Sequence, residues 1–580
     1  MLKAIRHHEH AHRQPDRLNV IGVKSYPESN RFDLEIADEL IPTVDGDGTI
    51  LRKVPLSIAS RSYESGTLHL DGSLVGGPLV LRVYRFEPSR NALIIYCEEE
   101  QFCDILEMFD SLPLIAWLYP FNYLEGLKSL IENQFVDRSA FPKQDLATYE
   151  APLWGGAASA DPRFSEPQSG KTKMIWGPPG TGKTRKAAEL IVNAFQSGED
   201  VLCLAPSNVA ADQLALAIAD AVSEDYPGEV LRFNSPNENV FDRCKWLIEP
   251  CDKVYEINIR LKEIAAEMRS LRHDDPSFSD RYNSLKRERR TLWEKKREYM
   301  NTYCASARVL ITTIYQWIGC DLVRERKDSR IVLDEAAMIP IISVTSMFRY
   351  LLNREHIPEV VILGDFRQLP PVCDTSKGEA KLLIEHWFAQ SVFDAAGCAD
   401  QDIRSELRRR GILESMLVQR RMHPEIAEVV SRQFYDGQLT TEGYQFCQIA
   451  PLRDEGAIRW IVPHEWFLPD GRLPIYVTNN SSEEHIYLVQ KLVRHLLNRY
   501  VGASLAIVTP FRNQAAKYAE AFQEDNQIVT GTVHRLQGCE VDIVVFDIVD
   551  PLKPFTKDPR LINVAISRAR HQVILMGNET

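Results

Sequence analysis

The residues with the clearest chemistry form a glycine-rich block at positions 177–184, read GPPGTGKT. It fits the pattern G-x-x-x-x-G-K-[ST], whose glycines leave backbone N–H groups free to surround phosphate oxygens. Lys183 is predicted to reach the β- and γ-phosphates of a nucleoside triphosphate, and the Thr184 hydroxyl to ligate Mg²⁺. A glycine-rich turn that binds nothing is the alternative. The predicted nucleotide-binding residues of the block are Gly177, Pro178, Pro179, Gly180, Thr181, Gly182, Lys183 and Thr184.

Three more polar residues follow apolar runs further along the chain. Asp334 and Glu335 come directly after the run 331–333 (IVL), and Gln368 follows the run 360–363 (VVIL). An aspartate at such a position beside a phosphate-binding loop can hold Mg²⁺, and the adjacent glutamate can polarise an attacking water. The Gln368 amide is suited to sensing the γ-phosphate.

The elements that must position these residues are parallel strands followed by helices. The apolar residues 174–176 precede the glycine block and the helical run RKAAELIVNAF follows it, which is the strand–loop–helix context that the pattern requires. A second buried strand at 201–205 (VLCLA) ends in Pro206, Ser207 and Asn208. These small polar residues could hold a backbone phosphate of a nucleic acid, or simply cap the next helix.

Composition narrows the class of protein. The chain has 580 residues, enough for about three to four domains, with 44% hydrophobic and 26% charged residues. A net charge of −13 excludes a wholly basic protein, so a nucleic-acid surface must be a local basic track. The eleven cysteines include no C-x-x-C pair, and four N-terminal histidines (7, 8, 10 and 12) are interpreted as a solvated tail. No membrane span and no signal-peptide core is expected, which predicts a cytoplasmic protein.

The domain organisation follows from changes in pattern. Residues 1–136 are predicted to form an N-terminal β-rich domain with a helical tail from 101, and 137–170 a linker rich in Pro, Gly, Ser and Ala. A first α/β domain is predicted at 171–395 and a second at 396–580.

A coiled-coil hairpin is predicted as an insertion at 252–303. Its first arm has an apolar seam with 3-4-3-4-3 spacing, and its second arm continues in matching register. From 281 to 298 there are eight basic and three acidic residues. A solvated face and a contact with nucleic acid or a protein partner are both compatible with this charge. The first-arm seam residues are Val254, Ile257, Leu261, Ile264, Met268 and Leu271.

The order of motifs across 174–570 resembles the superfamily 1 helicases, in the branch that contains the nonsense-mediated-decay RNA helicase. The matching blocks are GPPGTGKT, APSNVAADQL, DEAA, GDFRQLPPV, VQRRMHP, TPFRNQ, TVHRLQGCEVD and NVAISRAR. The resemblance implies an α/β fold with two RecA-like P-loop NTPase domains and ATP bound between them.

Site residues carried over from this resemblance complete the predicted set. Arg421 and Arg568 look like arginine fingers, and Gly538 and Glu540 would approach the nucleotide from the same side. Together with Lys183, Asp334, Glu335 and Gln368, the two arginines form the predicted catalytic set. Candidates to grip the nucleic-acid backbone are Pro206, Ser207, Asn208, Thr509, Pro510, Thr532 and His534.

The chain departs from the family pattern in two places. Relatives carry an L-N-x-x-Q element upstream of the phosphate loop, whose glutamine reads adenine, but residues 157–161 here are AASAD. Arg420 stands where relatives have a tyrosine that stacks on the base. Weak selectivity for the nucleotide base is therefore predicted.

The predicted function is an ATP- and Mg²⁺-dependent helicase that moves along single-stranded or partly duplex nucleic acid, with 5′→3′ polarity implied by the resemblance. Two alternatives stay open. One is an ATPase that remodels nucleoprotein without separating strands. The other is a nucleotide-gated subunit that docks on a protein partner through the hairpin or the N-terminal domain.

Overall fold

The computed structural model describes residues 16–26, 31–36, 43–44, 50–52, 67–70, 79–87, 92–96, 114–119 and 172–577, the last with gaps at 223, 234–235, 237–240, 271–277, 353, 355, 374–383, 446–451, 453–455, 464–466, 469–470, 473–475, 524, 526 and 537. Chain order defines the strands β1 (Asp16–Tyr26), β2 (Arg31–Ile36), β3 (Thr43–Val44), β4 (Ile50–Arg52), β5 (Thr67–Leu70), β6 (Leu79–Glu87), β7 (Ala92–Tyr96), β8 (Leu114–Tyr119), β9 (Thr172–Trp176), β10 (Val201–Ala205), β11 (Val230–Arg232), β12 (Val309–Thr313), β13 (Arg330–Leu333), β14 (Glu359–Gly364), β15 (Leu413–Ser415), β16 (Val418–Gln419), β17 (Thr440–Thr441), β18 (Ile458–Ile461), β19 (Phe467–Leu468), β20 (Gly471–Arg472), β21 (Leu505–Thr509), β22 (Ile528–Thr532), β23 (Val541–Asp547) and β24 (Ala569–Met576).

The α-helices are α1 (Lys183–Gln196), α2 (Asn208–Ala221), α3 (Asp252–Ser270), α4 (Phe278–Ser306), α5 (Ile314–Gly319), α6 (Asp321–Arg324), α7 (Ile341–Leu352), α8 (Val392–Ala395), α9 (Gln401–Arg409), α10 (Pro424–Phe434), α11 (Glu483–Arg499), α12 (Arg512–Ala521) and α13 (Pro559–Ile566). Short 3₁₀ turns occur at Lys245–Leu247, Ala336–Met338 and Pro554–Lys557. No helix in the described part of the chain is long and apolar enough to cross a membrane.

The chain divides into two compact units, one of 1–136, 222–327 and 376–384 and the other of 137–221, 328–375 and 385–580. In the first unit, β1, β2, β7, β6, β5 and β8 follow one another around a closed barrel, and β11 pairs in parallel with β12.

Strand β8 replaces the helix predicted there. Its continuous apolar run (LIAWLY) has no period that separates strand from helix, and pairing with β1 and β5 decides in favour of a strand. The rest of the predicted helical tail and the linker lie outside the described residues.

The hairpin region also belongs to the first unit. Helices α3 and α4 are separated by residues 271–277, and Ile264 and Met268 of α3 pack with Leu285 of α4 in one buried cluster. The Arg260 guanidinium donates from Nε to Glu288 across the two helices, at 2.7 Å. Heptad spacing accounts for these contacts, because seam residues three and four apart share one helix face.

In the second unit, a parallel sheet has the order β10, β13, β14, β9, β15. All residues of β10 are buried, as expected for a parallel strand covered on both faces. Leu333 pairs with Ile362, and Trp176 pairs with Gly364, so these strands end at the same edge. The chain segments that carry Asp334, Asp365 and the glycine block therefore leave the sheet side by side.

A second parallel sheet in the same unit has the order β18, β24, β23, β21, β22. Its buried cluster includes Val489 and Val493 of α11, Tyr518 of α12 and Val545 of β23. Two parallel sheets with helices packed on them confirm the predicted α/β class and fit two RecA-like domains.

Candidate nucleotide site

The glycine block forms a loop that leads directly into α1. Gly182 is the N-cap residue of α1 with φ 85°, and Gly180 has φ 75°, a backbone region that glycine adopts without strain. No side chain caps α1, and no acidic residue lies in its first turn. The first N–H groups and the positive end of the helix dipole are thus left for an anion.

Close packing explains why Gly177 must be glycine. A Cβ atom there would lie 2.7 Å from Cγ of Lys183 and 2.7 Å from Oγ1 of Thr181. The Lys183 ammonium donates to the Gly177 carbonyl at 2.7 Å and is buried. The loop therefore folds around its own lysine, and a triphosphate is the natural replacement partner for that ammonium group.

Asp334 and Glu335 lie at the end of β13, as the sequence predicted. Burial raises the pKa of the Asp334 carboxyl to about 7, and the Glu335 charge acts in the same direction. A hydrogen bond from the Glu335 N–H (3.0 Å to Oδ1), the Lys183 charge and a Thr184 side-chain hydrogen bond act against this rise. Glu335 has φ 48°, a left-handed conformation that is unfavourable for a residue with a Cβ and that occurs often at functional sites.

These residues fit Mg²⁺. Burial disfavours the ionised form of the Asp334 carboxyl, which a nearby divalent cation would favour, and the Thr184 side chain hydrogen-bonds with this carboxyl. Mg²⁺ typically takes one or two protein oxygens, with water and substrate phosphates filling its other positions. Thr184 and Asp334 would supply those two ligands.

Gln368 is held by a buried aspartate that the sequence analysis did not single out. The Gln368 side chain is 3% exposed, and its Nε2 donates to Asp365 Oδ2 at 3.0 Å. The same oxygen accepts from the Tyr435 hydroxyl at 2.6 Å, while Oδ1 accepts from Trp176 Nε1 at 3.0 Å. Burial raises the pKa of Asp365 above its ordinary value, although the Lys183 charge and the hydrogen bonds from Tyr435 and Trp176 oppose the rise.

The network continues into α13. Asn563 Nδ2 donates to the Tyr435 hydroxyl at 2.7 Å and to the Arg367 carbonyl at 2.8 Å. Asp365 lies in the motif GDFRQLPPV and Asn563 in NVAISRAR, so both could have been found there. Tyr435 lies outside every motif, and only its burial beside Asp365 identifies it.

Arg421 reaches the site from the turn after β16. Buried Gln419 accepts the Arg421 N–H at Oε1 (2.8 Å) and so shapes this turn. The Arg421 guanidinium donates to Glu540 and to the Ser567 carbonyl, but its buried Nε has no partner in the described structure. Such an unsatisfied donor is a candidate contact for a phosphate oxygen.

The Arg421 turn also touches the phosphate loop. The Arg420 N–H donates to the Gly180 carbonyl at 2.9 Å, and a Cβ atom at Gly180 would lie 2.7 Å from the Arg421 Cβ. The Arg420 side chain is exposed.

Arg568 is the second predicted finger and is 4% exposed. Burial lowers the pKa of its guanidinium to about 10, the Arg421 charge acts in the same direction, and Glu335 and Glu540 act against it. Each of these charges therefore lies close enough to Arg568 to act on it. Burial raises the pKa of the Glu540 carboxyl, but Arg421, Arg570 and Arg568 together lower it below its ordinary value, so the carboxyl remains ionised beside these arginines. Gly538, with φ 86°, packs against Gln213 of α2, whose Nε2 donates to its carbonyl at 3.3 Å.

The candidate nucleic-acid residues lie at the carboxyl ends of strands. Thr509 and Thr532 are paired neighbours on β21 and β22, and both are buried. Their hydroxyls accept the N–H groups of Phe511 and Arg535 at 3.4 Å. Ser207, exposed at the start of α2, accepts the Ala210 N–H at 3.2 Å. Pro510 is buried, and Pro206, Asn208 and His534 are half-buried.

The fold and the phosphate loop define a P-loop nucleoside triphosphatase. Two family models match, both described as "AAA domain", over residues 159–376 and 404–580. The chain belongs to the superfamily 1 helicases, which are ATP-dependent enzymes that act on nucleic acids. The prediction made from the ordered motifs is confirmed.

Several relatives illustrate the similarity. An ATP-dependent helicase of Methanocaldococcus jannaschii is 26% identical, with 78% of this chain and 70% of the relative covered. The DNA polymerase alpha-associated DNA helicase A of Saccharomyces cerevisiae is 23% identical, with 70% and 62% covered. The regulator of nonsense transcripts 1 homolog of Arabidopsis thaliana is 25% identical, with 70% of this chain but 31% of the relative covered. An arterivirus helicase structure aligns with a TM-score of 0.39 at 12% identity over 93% of this chain and 77% of that chain.

Proposed function

We propose that this protein uses ATP hydrolysis to move 5′→3′ along single-stranded nucleic acid and to separate strands ahead of it. The observation that carries the proposal is the convergence of Arg421 and Arg568 with the phosphate loop and Glu335. Because Arg568 directly precedes β24 of the second sheet while the phosphate loop follows β9 of the first, hydrolysis would depend on how the two sheets are placed. A site with that dependence can couple chemistry to movement of one sheet against the other.

Each side chain has a role in the proposed reaction. Glu335 accepts a proton from the attacking water, and Gln368, oriented by Asp365, positions that water at the γ-phosphate. Lys183, Arg421 and Arg568 stabilise the charge that develops on the transferred phosphoryl group. Thr184 and Asp334 would hold Mg²⁺, which would neutralise charge on the phosphates.

The strand would be held at the carboxyl edges of the two sheets. Thr509 and Thr532 are adjacent on the second sheet, and Ser207 follows β10 of the first. Hydroxyls and helix N-terminal amides at such edges suit phosphate contacts, which carry no sequence information. This arrangement supports a protein that grips the backbone of many sequences alike.

The barrel strands of the first unit and helices α3 and α4 support a proposed N-terminal β-rich domain at 1–136 and a proposed hairpin insertion at 252–303. The domain boundaries at 137–170, 171–395 and 396–580 are part of the same proposal, as is a cytoplasmic location. Among the predicted basic residues of the second arm, Arg289 is buried and is therefore removed from the contact surface. The exposed ones are Arg281, Arg287, Arg290, Lys295 and Arg297, which leaves a basic face for nucleic acid or for a protein partner.

The test is to measure ATP hydrolysis with single-stranded DNA, single-stranded RNA and duplexes of each, followed by strand displacement on the stimulating substrate. Stimulation by a single strand together with displacement supports a helicase. Stimulation without displacement favours the alternative of nucleoprotein remodelling. If no nucleic acid stimulates hydrolysis, the nucleotide-gated docking subunit replaces the proposal. The variant Arg568→Ala is the hydrolysis-deficient control, because it removes one of the two proposed arginine fingers and leaves the residues of the phosphate loop unchanged.

A further inference from the structure

The segment 549–558 links β23 to α13 and is fixed at both ends. At its start, the Val549 N–H donates to Asp547 Oδ1 at 3.2 Å, and Val549 has φ 58°. At its end, Asp558 is the N-cap residue of α13 and accepts the Arg560 N–H at 2.9 Å. Between them, the buried Thr556 hydroxyl donates to the Lys553 carbonyl at 2.7 Å. The segment is therefore a defined surface structure.

This ordered segment presents large apolar side chains to solvent. Leu552 is 70% exposed and Phe555 is 44% exposed. The Phe555 ring meets the buried Phe511 ring nearly at right angles, with centroids 5.1 Å apart. An edge-to-face contact fixes the orientation of a ring and leaves part of it open to a further partner. The open part of the Phe555 ring is therefore apolar area that a partner could cover with a gain in free energy.

The contact with Phe511 locates this ring. Phe511 follows Thr509 and Pro510, the residues proposed to hold a nucleic-acid backbone at the carboxyl edge of the second sheet. Phe555 thus lies next to that proposed path. Its open ring is placed where a base attached to the gripped backbone could reach it.

The charges around the ring favour a polyanion. Lys553 and Lys557 flank Phe555 and are exposed, and neither makes an ion pair within the described residues. The two acidic residues of the segment are engaged locally, Asp550 with the Leu552 N–H at 3.0 Å and Asp558 with Arg560. An exposed ring between two exposed lysines suits a nucleic acid better than an apolar protein surface, because the lysines attract phosphates and the ring can stack on a base.

We propose that Phe555 is a stacking platform for one base of a single-stranded nucleic acid, with Lys553 and Lys557 attracting the flanking phosphates. This inference rests on the proposed function and adds a base-contacting residue to it. Stacking is tolerant of sequence, because every base has a π-face. The same segment continues into α13, which carries Asn563 and leads to Arg568. Phe555, on which the base would stack, is therefore connected to the nucleotide site through one short helix.

The test compares Phe555→Ala, Phe555→Leu and Phe555→Tyr in the full chain by fluorescence anisotropy with a labelled oligothymidylate. Loss of one stacking interaction should raise Kd roughly tenfold or more in the Ala variant. The Leu variant should bind nearly as weakly, because it keeps apolar area but has no ring face, and the Tyr variant should bind like wild type. Val501→Ala is the matched surface control, since Val501 is 78% exposed and precedes β21, away from its carboxyl end.

A second measurement uses the same oligonucleotide with single abasic positions. Wild type should lose affinity at one position, and Phe555→Ala should show no further loss there. Equal Kd values for wild type and the Ala variant, or full affinity in the Leu variant, would refute stacking while leaving the proposed function intact. If wild type itself binds no oligonucleotide, DNA or RNA, the proposed function fails first.

Discussion

Tyr435→Phe removes a single oxygen from the middle of the network that joins Asp365 to α13. The Tyr435 hydroxyl donates to Asp365 at 2.6 Å and accepts from Asn563 at 2.7 Å, and its ring is fully buried. Burial and the Asp365 charge raise the pKa of the Tyr435 hydroxyl well above its ordinary value, so it remains a donor at any working pH. The substitution leaves the ring in place and therefore creates no large cavity.

The size of the effect follows from the hydrogen bonds that the substitution removes. A hydrogen bond to a charged group contributes about 1.5–3 kcal/mol, and each 1.36 kcal/mol is a factor of ten in rate. If all of this energy is lost in the transition state, kcat falls by roughly 10- to 150-fold, and the fall cannot be larger through this bond alone. We expect a fall of about tenfold in kcat, because Asp365 keeps its other donors. The KM for ATP should change little, since the phosphate loop is not touched.

Tyr518→Phe is the matched control. The Tyr518 hydroxyl donates to buried Asp547 at 2.6 Å and accepts from Gln514 Nε2 at 3.1 Å, and Tyr518 is likewise fully buried. None of these partners belongs to the nucleotide site. Both variants should lower thermal stability by similar amounts, but only Tyr435→Phe should slow ATP hydrolysis under nucleic-acid saturation. Equal kcat values for the two variants would show that the Tyr435 network only stabilises the fold.

Three further predictions concern other parts of the protein. Glu335→Gln should lower kcat by orders of magnitude while ATP binding, measured by calorimetry, persists; near-normal turnover would remove Glu335 from its role as base. Hydrolysis of GTP and CTP should be within about tenfold of ATP, because rejecting a base requires buried polar groups that it leaves unpaired, and a thousandfold preference for ATP would reveal an unrecognised reader of adenine. Replacing Arg287, Arg290 and Lys295 of the hairpin with Glu should weaken nucleic-acid binding. It should also flatten the slope of log K against log salt concentration by roughly 0.7–0.9 for each phosphate that the variant no longer neutralises. An unchanged affinity and salt slope, with thermal stability as the folding control, would leave the hairpin a strut or a protein-docking arm.

The sequence by itself determined the local chemistry of this protein. Each chemical feature is complete within one short segment of the sequence. These features are the glycines at 177, 180 and 182 with the lysine that follows them, and the acidic or amide residues directly after apolar strands. Such features are visible in order along the chain, and the motifs from 174 to 570 were enough to identify the family. Strand Leu114–Tyr119 was missed, because a short apolar run has no period of its own and its barrel partners decide its structure.

Only the tertiary structure decided which distant side chains meet. Tyr435 is separated from Asp365 by 70 positions and from Asn563 by 128, yet it shares hydrogen bonds with them at 2.6 and 2.7 Å. A buried carboxyl is hydrogen-bonded by whichever donors the fold places next to it, so its partners cannot be predicted from the local sequence. The same holds for Phe555, which in the sequence is one aromatic residue in a proline-containing turn. Its contact with Phe511, and the exposure that remains to it, arise from the packing of the residue before α12 against the segment before α13.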